Sequence, residues 1–199
     1  MVRTARFSAD AFVKAAIALV AEGGPSAATI GAVARAVGAP TGSVYHRFAS
    51  RDAVVATAWA EVHGGFVQHV APALHAGSAA AAALALVGWA RADAVRARFL
   101  LLNESGTLYD AAPPPELREE IRRQEEEIDA AFAALLERTG GTGDPAAIAR
   151  ARFRVFDGPI ALLRPHLLAG AVPAYVDRLV LELHGVPADA PGLASGKAA

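Results

Sequence analysis

The sequence predicts an all-α protein with a three-helix N-terminal domain and a larger helical body. Apolar residues make up 54% of the 199 residues and charged residues 20%, which is enough for a sizeable core. Much of the apolar content is alanine, the best helix former. Apolar residues also recur at three- and four-residue intervals along most of the chain, which is the pattern of helices that bury one face.

The predicted organisation has three parts. Residues 1–52 form the first domain and residues 53–185 the body. Residues 186–199 contain small residues, proline and glycine and only two charged residues, so we expect a disordered tail.

The composition excludes several kinds of site. The chain contains no cysteine, so disulfides, thiolate metal sites and cysteine nucleophiles are excluded. The N-terminus has no long apolar run behind its positive charges, so no signal peptide is predicted. The most apolar window, residues 79–90, is shorter than the roughly 20 residues of a membrane span. We therefore expect a soluble, cytoplasmic protein.

The charge is unevenly distributed. Residues 1–52 contain six Lys and Arg and three Asp and Glu, a net +3, whereas the whole chain carries −1. The remaining residues therefore carry −4. A basic head on an acidic body is typical of a DNA-binding protein with a separate body, although the asymmetry here is small.

The first domain contains a helix-turn-helix pattern. A helix is predicted from Ser8, a good N-cap, to Glu22, before a Gly-Gly-Pro stop. Thr29 caps a second, short helix, and a third runs from Thr41 to about Phe48. The second and third helices are joined by a tight turn, residues 37–40, that contains glycine.

The second helix of such a unit enters the DNA major groove with its N-terminal residues leading. Here these residues are Thr41, Gly42 and Ser43. The two hydroxyls can bond phosphates or base edges, and glycine permits close backbone approach. Tyr45 and His46 lie on the next turn, within reach of phosphate oxygens.

Residues 28–51, ATIGAVARAVGAPTGSVYHRFASR, resemble the signature of the TetR family of transcriptional regulators. With the first helix the resemblance covers about forty residues. One position departs from the pattern: the family usually has serine where this chain has Pro40. Proline cannot supply a side-chain cap, but its fixed φ suits a helix start, so we expect the helix to form and one phosphate contact to be lost or replaced.

The resemblance implies a role for each matched residue. Thr29 would cap its helix and touch a phosphate, and Arg51 would contact the DNA backbone at the start of the fourth helix. The remaining DNA contacts would come from Thr41, Gly42, Ser43, Tyr45 and His46, and from an N-terminal arm with Arg3 and Arg6. The alternatives are that Tyr45 packs under the motif, as we expect Phe48 to do, and that Arg47 and Arg51 are solvated charges.

The body is predicted to be helical from its apolar spacing. Ser78 caps an alanine-rich helix, a second helix covers residues 95–103, and a long helix runs from Glu116 to Thr139. Residues 125–127, three glutamates, are interpreted as a solvated face. Pro159 lies inside the next helical pattern, so we expect a kink at residues 157–159.

The last two helices predict a homodimer. Five apolar residues between positions 153 and 167 are spaced 3, 4, 3 and 4, the pattern of a helix that packs on a partner helix. Residues 158–183 also resemble the C-terminal body of one TetR subgroup, whose last helices form the dimer. The alternative is burial within one subunit. The predicted interface consists of Phe153, Phe156, Ile160, Leu163, Leu167, Val176, Leu179, Val180 and Leu183.

The resemblance also implies an effector pocket in the body. An apolar or aromatic small molecule would shift the population toward a geometry that moves the two heads out of register with a palindromic operator. The alternative for each aromatic residue is ordinary core. The candidate lining residues are Phe66, Trp89, Phe99, Asn103, Tyr109, Phe156 and Asp157.

The sequence thus predicts a DNA-binding transcriptional regulator, acting as a repressor, with no cofactor. An enzyme is not predicted, because no Gly-rich phosphate loop, no catalytic motif and no metal-binding spacing occurs: His63, His69 and His75 are six residues apart and do not share a helix face. The alternative is a helical partner-binding protein with a vestigial DNA-binding head. The sequence leaves the operator, the effector, the regulated genes and activation versus repression open.

Overall fold

The computed structural model describes residues 7–109 and 111–186, and every regular element in these ranges is helical. The predicted N-terminal arm with Arg3 and Arg6, and nearly all of the predicted tail, lie outside them. A 3₁₀ turn at Pro25–Ala27 and a π-helical turn at Phe153–Asp157 interrupt the α-helices. The α-helices are α1 (Ala9–Gly23), α2 (Ile30–Val37), α3 (Thr41–Tyr45), α4 (Arg51–His75), α5 (Ala79–Ala92), α6 (Ala94–Leu101), α7 (Ser105–Leu108), α8 (Pro115–Thr139), α9 (Pro145–Arg152), α10 (Gly158–Ala169) and α11 (Tyr175–Leu183).

The helix starts that the capping residues predict are confirmed. The hydroxyl oxygens of Ser8, Thr29 and Ser78 each accept a hydrogen bond from the backbone N–H three residues later, at 3.1–3.2 Å. Each bond satisfies one of the N–H groups that a helix start leaves without a partner. Local chemistry therefore sets these three starts.

Helix α4 is the central element of the fold. It packs against α1 of the head and against α5, α6 and α8 of the body. Twelve of its twenty-five residues are buried, spread around the helix rather than along one stripe. The predicted boundary after residue 52 falls two residues inside α4, so one continuous helix belongs to both predicted domains. Helix α1 also packs on α6, which gives the head a second contact with the body.

Two predicted local features differ in detail. The third helix ends at Tyr45 rather than Phe48, because the chain tightens there: the Arg47 N–H bonds to the Val44 carbonyl, a three-residue step. Near the kink predicted at residues 157–159, the helix contains the π-helical turn Phe153–Asp157, which overlaps the predicted site at Asp157. Pro159 has no N–H to donate to the preceding turn, and the wider π-helical turn lets the chain continue directly into α10.

The C-terminal apolar pattern is mostly satisfied within one subunit. Leu163, Leu167, Val176 and Val180 are fully buried in the single chain, where α10 and α11 pack on each other and on α5. Their predicted place in a dimer interface is therefore corrected, because a three-four spacing does not distinguish a partner helix of the same chain from one of a second chain. The other five predicted residues keep solvent-accessible surface.

None of the described helices is long and apolar enough to span a membrane.

We predict that the α5 core carries more of the stability than an exposed apolar position does. Val87 is fully buried and Val95 is exposed. Val87→Ala should lower the free energy of unfolding by about 2 kcal/mol, through lost burial and a cavity. The control Val95→Ala should change it by less than about 0.5 kcal/mol. Denaturant unfolding at one protein concentration measures both, and equal effects would contradict the core assignment.

Candidate DNA interface and cavity of the body

The helix-turn-helix is built from one cap, one glycine and one buried anchor. Thr29 caps α2, and Gly38 ends it in the left-handed region at φ 69°, which favours glycine. The N–H groups of Gly38 and Ala39 then bond to carbonyls of the last turn of α2. Val44, fully buried, fixes α3 on the head.

The short α3 presents its predicted DNA-contacting residues outward. Pro40 precedes it at φ −61° and provides no side-chain cap, yet the helix forms. Thr41, Gly42 and His46 are exposed and Ser43 is half-buried. A Cβ at position 42 would meet no neighbouring atom within 4 Å outside its own turn of helix.

Two aromatic residues of the motif differ in exposure. The Tyr45 side chain is 59% exposed, so the alternative that it packs under the motif is wrong. Phe48 is buried beneath the motif, as predicted. The exposed surface formed by Thr41, Gly42, Ser43, Tyr45 and His46 is called the α3 face below.

Arg51 does not follow this outward pattern. Its guanidinium donates to the carbonyls of Pro25 and Ala28 in the head and of Leu108 beyond α6, with Arg51 Nη1 to Leu108 O at 2.5 Å. It also donates to the Asp52 carboxylate at 3.0 Å. These bonds use four of the five N–H donors of an arginine, so the side chain joins the head to the body. Its contact with DNA stays a prediction that these bonds do not favour.

Asp52 extends this junction. One carboxylate oxygen accepts from Arg51, and the other accepts from the Ala111 N–H at 3.0 Å. The first turn of α4 therefore holds the segment between α6 and α8 from both sides. We call Arg51, Asp52 and their backbone partners the α4 junction.

The body contains a cavity of about 370 Å³, lined mainly by aromatic and aliphatic side chains, a volume within the range of small-molecule sites. Its lining comes from α4, α6, α8, the π-helical turn and the residues beside that turn. The lining residues are Trp59, His63, Phe66, Leu100, Leu101, Ile128, Asp129, Phe132, Arg152, Phe156, Asp157 and Ile160.

Three of the seven residues predicted to line a pocket line this cavity: Phe66, Phe156 and Asp157. Trp89 and Phe99 lie behind its wall, where Trp89 packs edge-on against Phe66 and Phe99 tilts against Trp59.

The other two predicted residues are not brought to the cavity. The Asn103 amide donates to the Phe99 carbonyl at 3.0 Å and so serves the end of α6. Tyr109 is partly buried outside it, and burial, together with the charge of Glu125, raises the pKa of its phenol. The polar group of Asn103 is thus satisfied by its own helix and is not available to a ligand.

Trp59 and His63 are the residues that sequence reasoning missed. Trp59 was assigned to no site, and His63 appeared only as one of three histidines spaced six residues apart. Their rings stack with centroids 5.8 Å apart and planes 10° apart. Trp59 is only 8% exposed, and its indole N–H has no hydrogen-bond partner in the part of the chain that the structure describes.

Another surface cavity is larger but differs in chemistry. It has a volume of about 480 Å³ and lies between the end of α3 and the start of α8, lined among others by Phe48 and Leu117. Among the described residues, none of its lining atoms is a buried polar group without a partner. Neither cavity has a metal-binding cluster, since the described residues contain no group of three His, Asp or Glu side chains that could hold a metal ion.

A short exposed helix behind a glycine turn, on a three-helix head joined to a helical body, defines a helix-turn-helix DNA-binding protein. Residues 12–58 match the model of the bacterial regulatory proteins of the tetR family. The N-terminal domain is therefore similar to that of the tetR family, as the sequence motif predicts.

The whole fold is also that of solved transcription regulators. A tetR family regulator from Shewanella sp. PV-4 superposes with a TM-score of 0.64 at 17% identity, covering 89% of this chain and 96% of that chain. The fatty acid degradation regulator FadR from Bacillus halodurans gives 0.61 at 18% identity, with 92% and 99% covered. A transcriptional regulator from Rhodococcus sp. RHA1 gives 0.61 at 21% identity, with 90% and 96% covered. A search of curated protein sequences found no match.

We predict that Arg51 stabilises the protein in the absence of DNA. Arg51→Ala would leave three backbone carbonyls without their cationic donor, two of them on the buried residues Ala28 and Leu108. The expected loss in the free energy of unfolding is about 2–4 kcal/mol. The control Arg35→Ala removes an exposed arginine of the same domain and should cost less than about 0.5 kcal/mol. Equal thermal unfolding of the two variants would refute the junction.

Proposed function

We propose that this protein is a homodimeric transcriptional repressor that binds a palindromic DNA operator and is released from it by a small-molecule effector. The observation that carries the proposal is the α3 face: an exposed, uncharged, hydroxyl-rich surface on a helix-turn-helix of the tetR family. Such a helix reads the major groove with its first residues.

The residue roles follow from this placement. Thr41, Gly42 and Ser43 lie against bases and backbone, and Tyr45 and His46 bond phosphate oxygens. Thr29 contacts a phosphate while its hydroxyl caps α2. With few cations on the α3 face, phosphate affinity comes from hydroxyls and backbone groups as well as from charge.

Dimerisation supplies the second head. A palindromic operator offers two half-sites about 34–36 Å apart, or multiples of that, and one head reads one half-site. Among the described residues, five large apolar or aromatic side chains are exposed, and three lie in the C-terminal elements: Phe153 (51%), Leu168 (67%) and Tyr175 (56%). Exposed apolar surface of this kind favours a partner, and a second copy is the partner that the function requires.

Effector release connects the cavity with the head. The cavity is lined by α4 and α6, and the α4 junction ties the segment after α6 to two head carbonyls. A ligand that favours a different spacing of α4 and α6 therefore changes the head position through bonds already present. Residues 1–52 and 53–185 act as DNA-binding and effector-binding domains that share α4.

We predict that the α3 face, and Tyr45 in particular, determines operator binding. Selection from a random duplex pool should recover a palindrome, with affinity that falls steeply as salt rises from 50 to 200 mM. Tyr45→Ala should weaken binding about tenfold or more, and Tyr45→Phe less, because only the hydroxyl is removed. Since Tyr45 is exposed, both variants should unfold at the same temperature as the unmodified protein.

No enrichment at low salt would contradict this function. The protein would then be a helical partner-binding protein whose head no longer reads DNA.

We predict that the exposed C-terminal apolar side chains hold the dimer together. Leu168→Glu places a charge in the proposed interface, where desolvation opposes association, and should convert dimer to monomer in sedimentation velocity. The matched control Tyr45→Glu changes a similarly exposed side chain on the head and should remain dimeric. A monomeric unmodified protein, or a dimeric Leu168→Glu, would contradict the assignment.

A further inference from the structure

We infer that the cavity of the body binds a flat, uncharged hydroxyaromatic molecule of about two fused rings, whose hydroxyl group bonds Trp59 and His63. This inference rests on the proposed effector site and names its ligand class.

The donor is the indole N–H of Trp59. Trp59 lines the cavity, is more than nine-tenths buried, and its Nε1 has no partner among the described residues. A buried N–H without an acceptor is unfavourable, and buried indoles usually find a partner. A ligand oxygen in the cavity would provide that acceptor.

The acceptor is Nε2 of His63, and its protonation follows from Gln124. The Gln124 amide nitrogen donates to the Ala60 carbonyl at 3.1 Å and faces Glu120, which fixes the orientation of the amide. Its oxygen lies 3.1 Å from His63 Nδ1. Because that oxygen can only accept, Nδ1 carries the proton, and in the neutral ring Nε2 keeps a free lone pair.

Gly64 makes this arrangement possible. A Cβ at this position would lie 2.8 Å from the Gln124 amide nitrogen. Any side chain there would displace the amide that sets the His63 tautomer.

The two groups together select a hydroxyl. Trp59 and His63 are stacked neighbours on successive turns of α4, so the wall presents one donor beside one acceptor. A hydroxyl is the smallest uncharged group that accepts and donates from one atom. Its oxygen accepts a hydrogen bond from the Trp59 Nε1–H, and its O–H donates a hydrogen bond to His63 Nε2.

The rest of the wall selects a flat apolar body. Phe66, Phe132 and Phe156 form a contiguous ring cluster with centroids 5.8–6.5 Å apart. The volume of about 370 Å³ equals roughly twelve water molecules in the liquid, enough for a two-ring compound.

The charged side chains of the wall are all exposed, and Arg152 and Asp157 already face each other at 3.9 Å. A buried ionic ligand would lose hydration without a full counter-charge at the inner end.

The test measures the affinity of the full-length protein, without DNA, for four probes by titration calorimetry. The first, 2-naphthol, can both donate and accept a hydrogen bond, and the second, 2-methoxynaphthalene, can only accept one. The third, 2-methylnaphthalene, can do neither, and the fourth, 2-naphthylmethylammonium, is a cation. We expect 2-naphthol to bind about fivefold tighter than the methoxy compound, and that compound about fivefold tighter than the hydrocarbon, one hydrogen bond per step. The ammonium compound should bind most weakly.

Variants assign each step to one residue. Trp59→Phe should remove the difference between the methoxy compound and the hydrocarbon, and His63→Phe that between naphthol and the methoxy compound. The control Trp89→Phe changes the other tryptophan, behind the wall, and should keep the order. The chain contains only two tryptophans, so the indole N–H signal that is missing from the proton NMR spectrum of Trp59→Phe belongs to Trp59. Binding of 2-naphthol should shift that signal downfield.

Equal affinity for the three uncharged probes, tightest binding of the ammonium compound, or no binding of any probe would overturn the ligand class. The outcome is separate from the proposed function, because operator selection is performed without ligand. Naphthol that binds in the expected order but leaves the operator complex intact would support the ligand class and refute effector release by it.

Discussion

The fold depends on burying one long helix on every side. Helix α4 can be so apolar only because α1, α5, α6 and α8 cover it, and each of those helices gains its own place by covering it. Both candidate sites of the body are attached to α4. Arg51 and Asp52 lie at its first turn, and Trp59 and His63 lie two to three turns further on. A rigid helix of known rise therefore fixes the distance between the α4 junction and the cavity.

Hydrogen bonds of the α4 junction hold the head in position on the body. One guanidinium serves carbonyls from the head and from the segment after α6, and the Asp52 carboxylate fixes both the guanidinium and that segment. Separating head and body would leave several of these groups without partners at once. The contact between α1 and α6 adds apolar burial to the same boundary. The head is thus joined to the body through α4 and α6 by hydrogen bonds and packing rather than by a free linker.

Local features were predictable from the sequence, and features made by distant contacts were not. The caps at Ser8, Thr29 and Ser78, the turn at Gly38 and the family motif depend on neighbouring residues, so they could be recognised one by one. The cavity depends on which faces of α4, α6 and α8 meet, and its two polar groups are ordinary members of an apolar helix in the sequence. Arg51 illustrates the limit: its position in the motif indicates DNA, whereas its carbonyl partners lie 23 to 57 residues away.

The π-helical turn links the two features of the C-terminal region. A widened turn changes the direction of successive side chains, and here Phe153 is exposed, Val155 is fully buried and Phe156 lines the cavity. Directly after the turn, a Cβ on Gly158 would lie 3.0 Å from both Leu183 of α11 and the Phe153 carbonyl, so α11 packs closely there. A single turn of five residues therefore contributes to the exposed C-terminal surface, the core and the cavity wall. The turn is packed on α5 and α10, so the proposed dimer surface and the cavity wall share one short backbone segment.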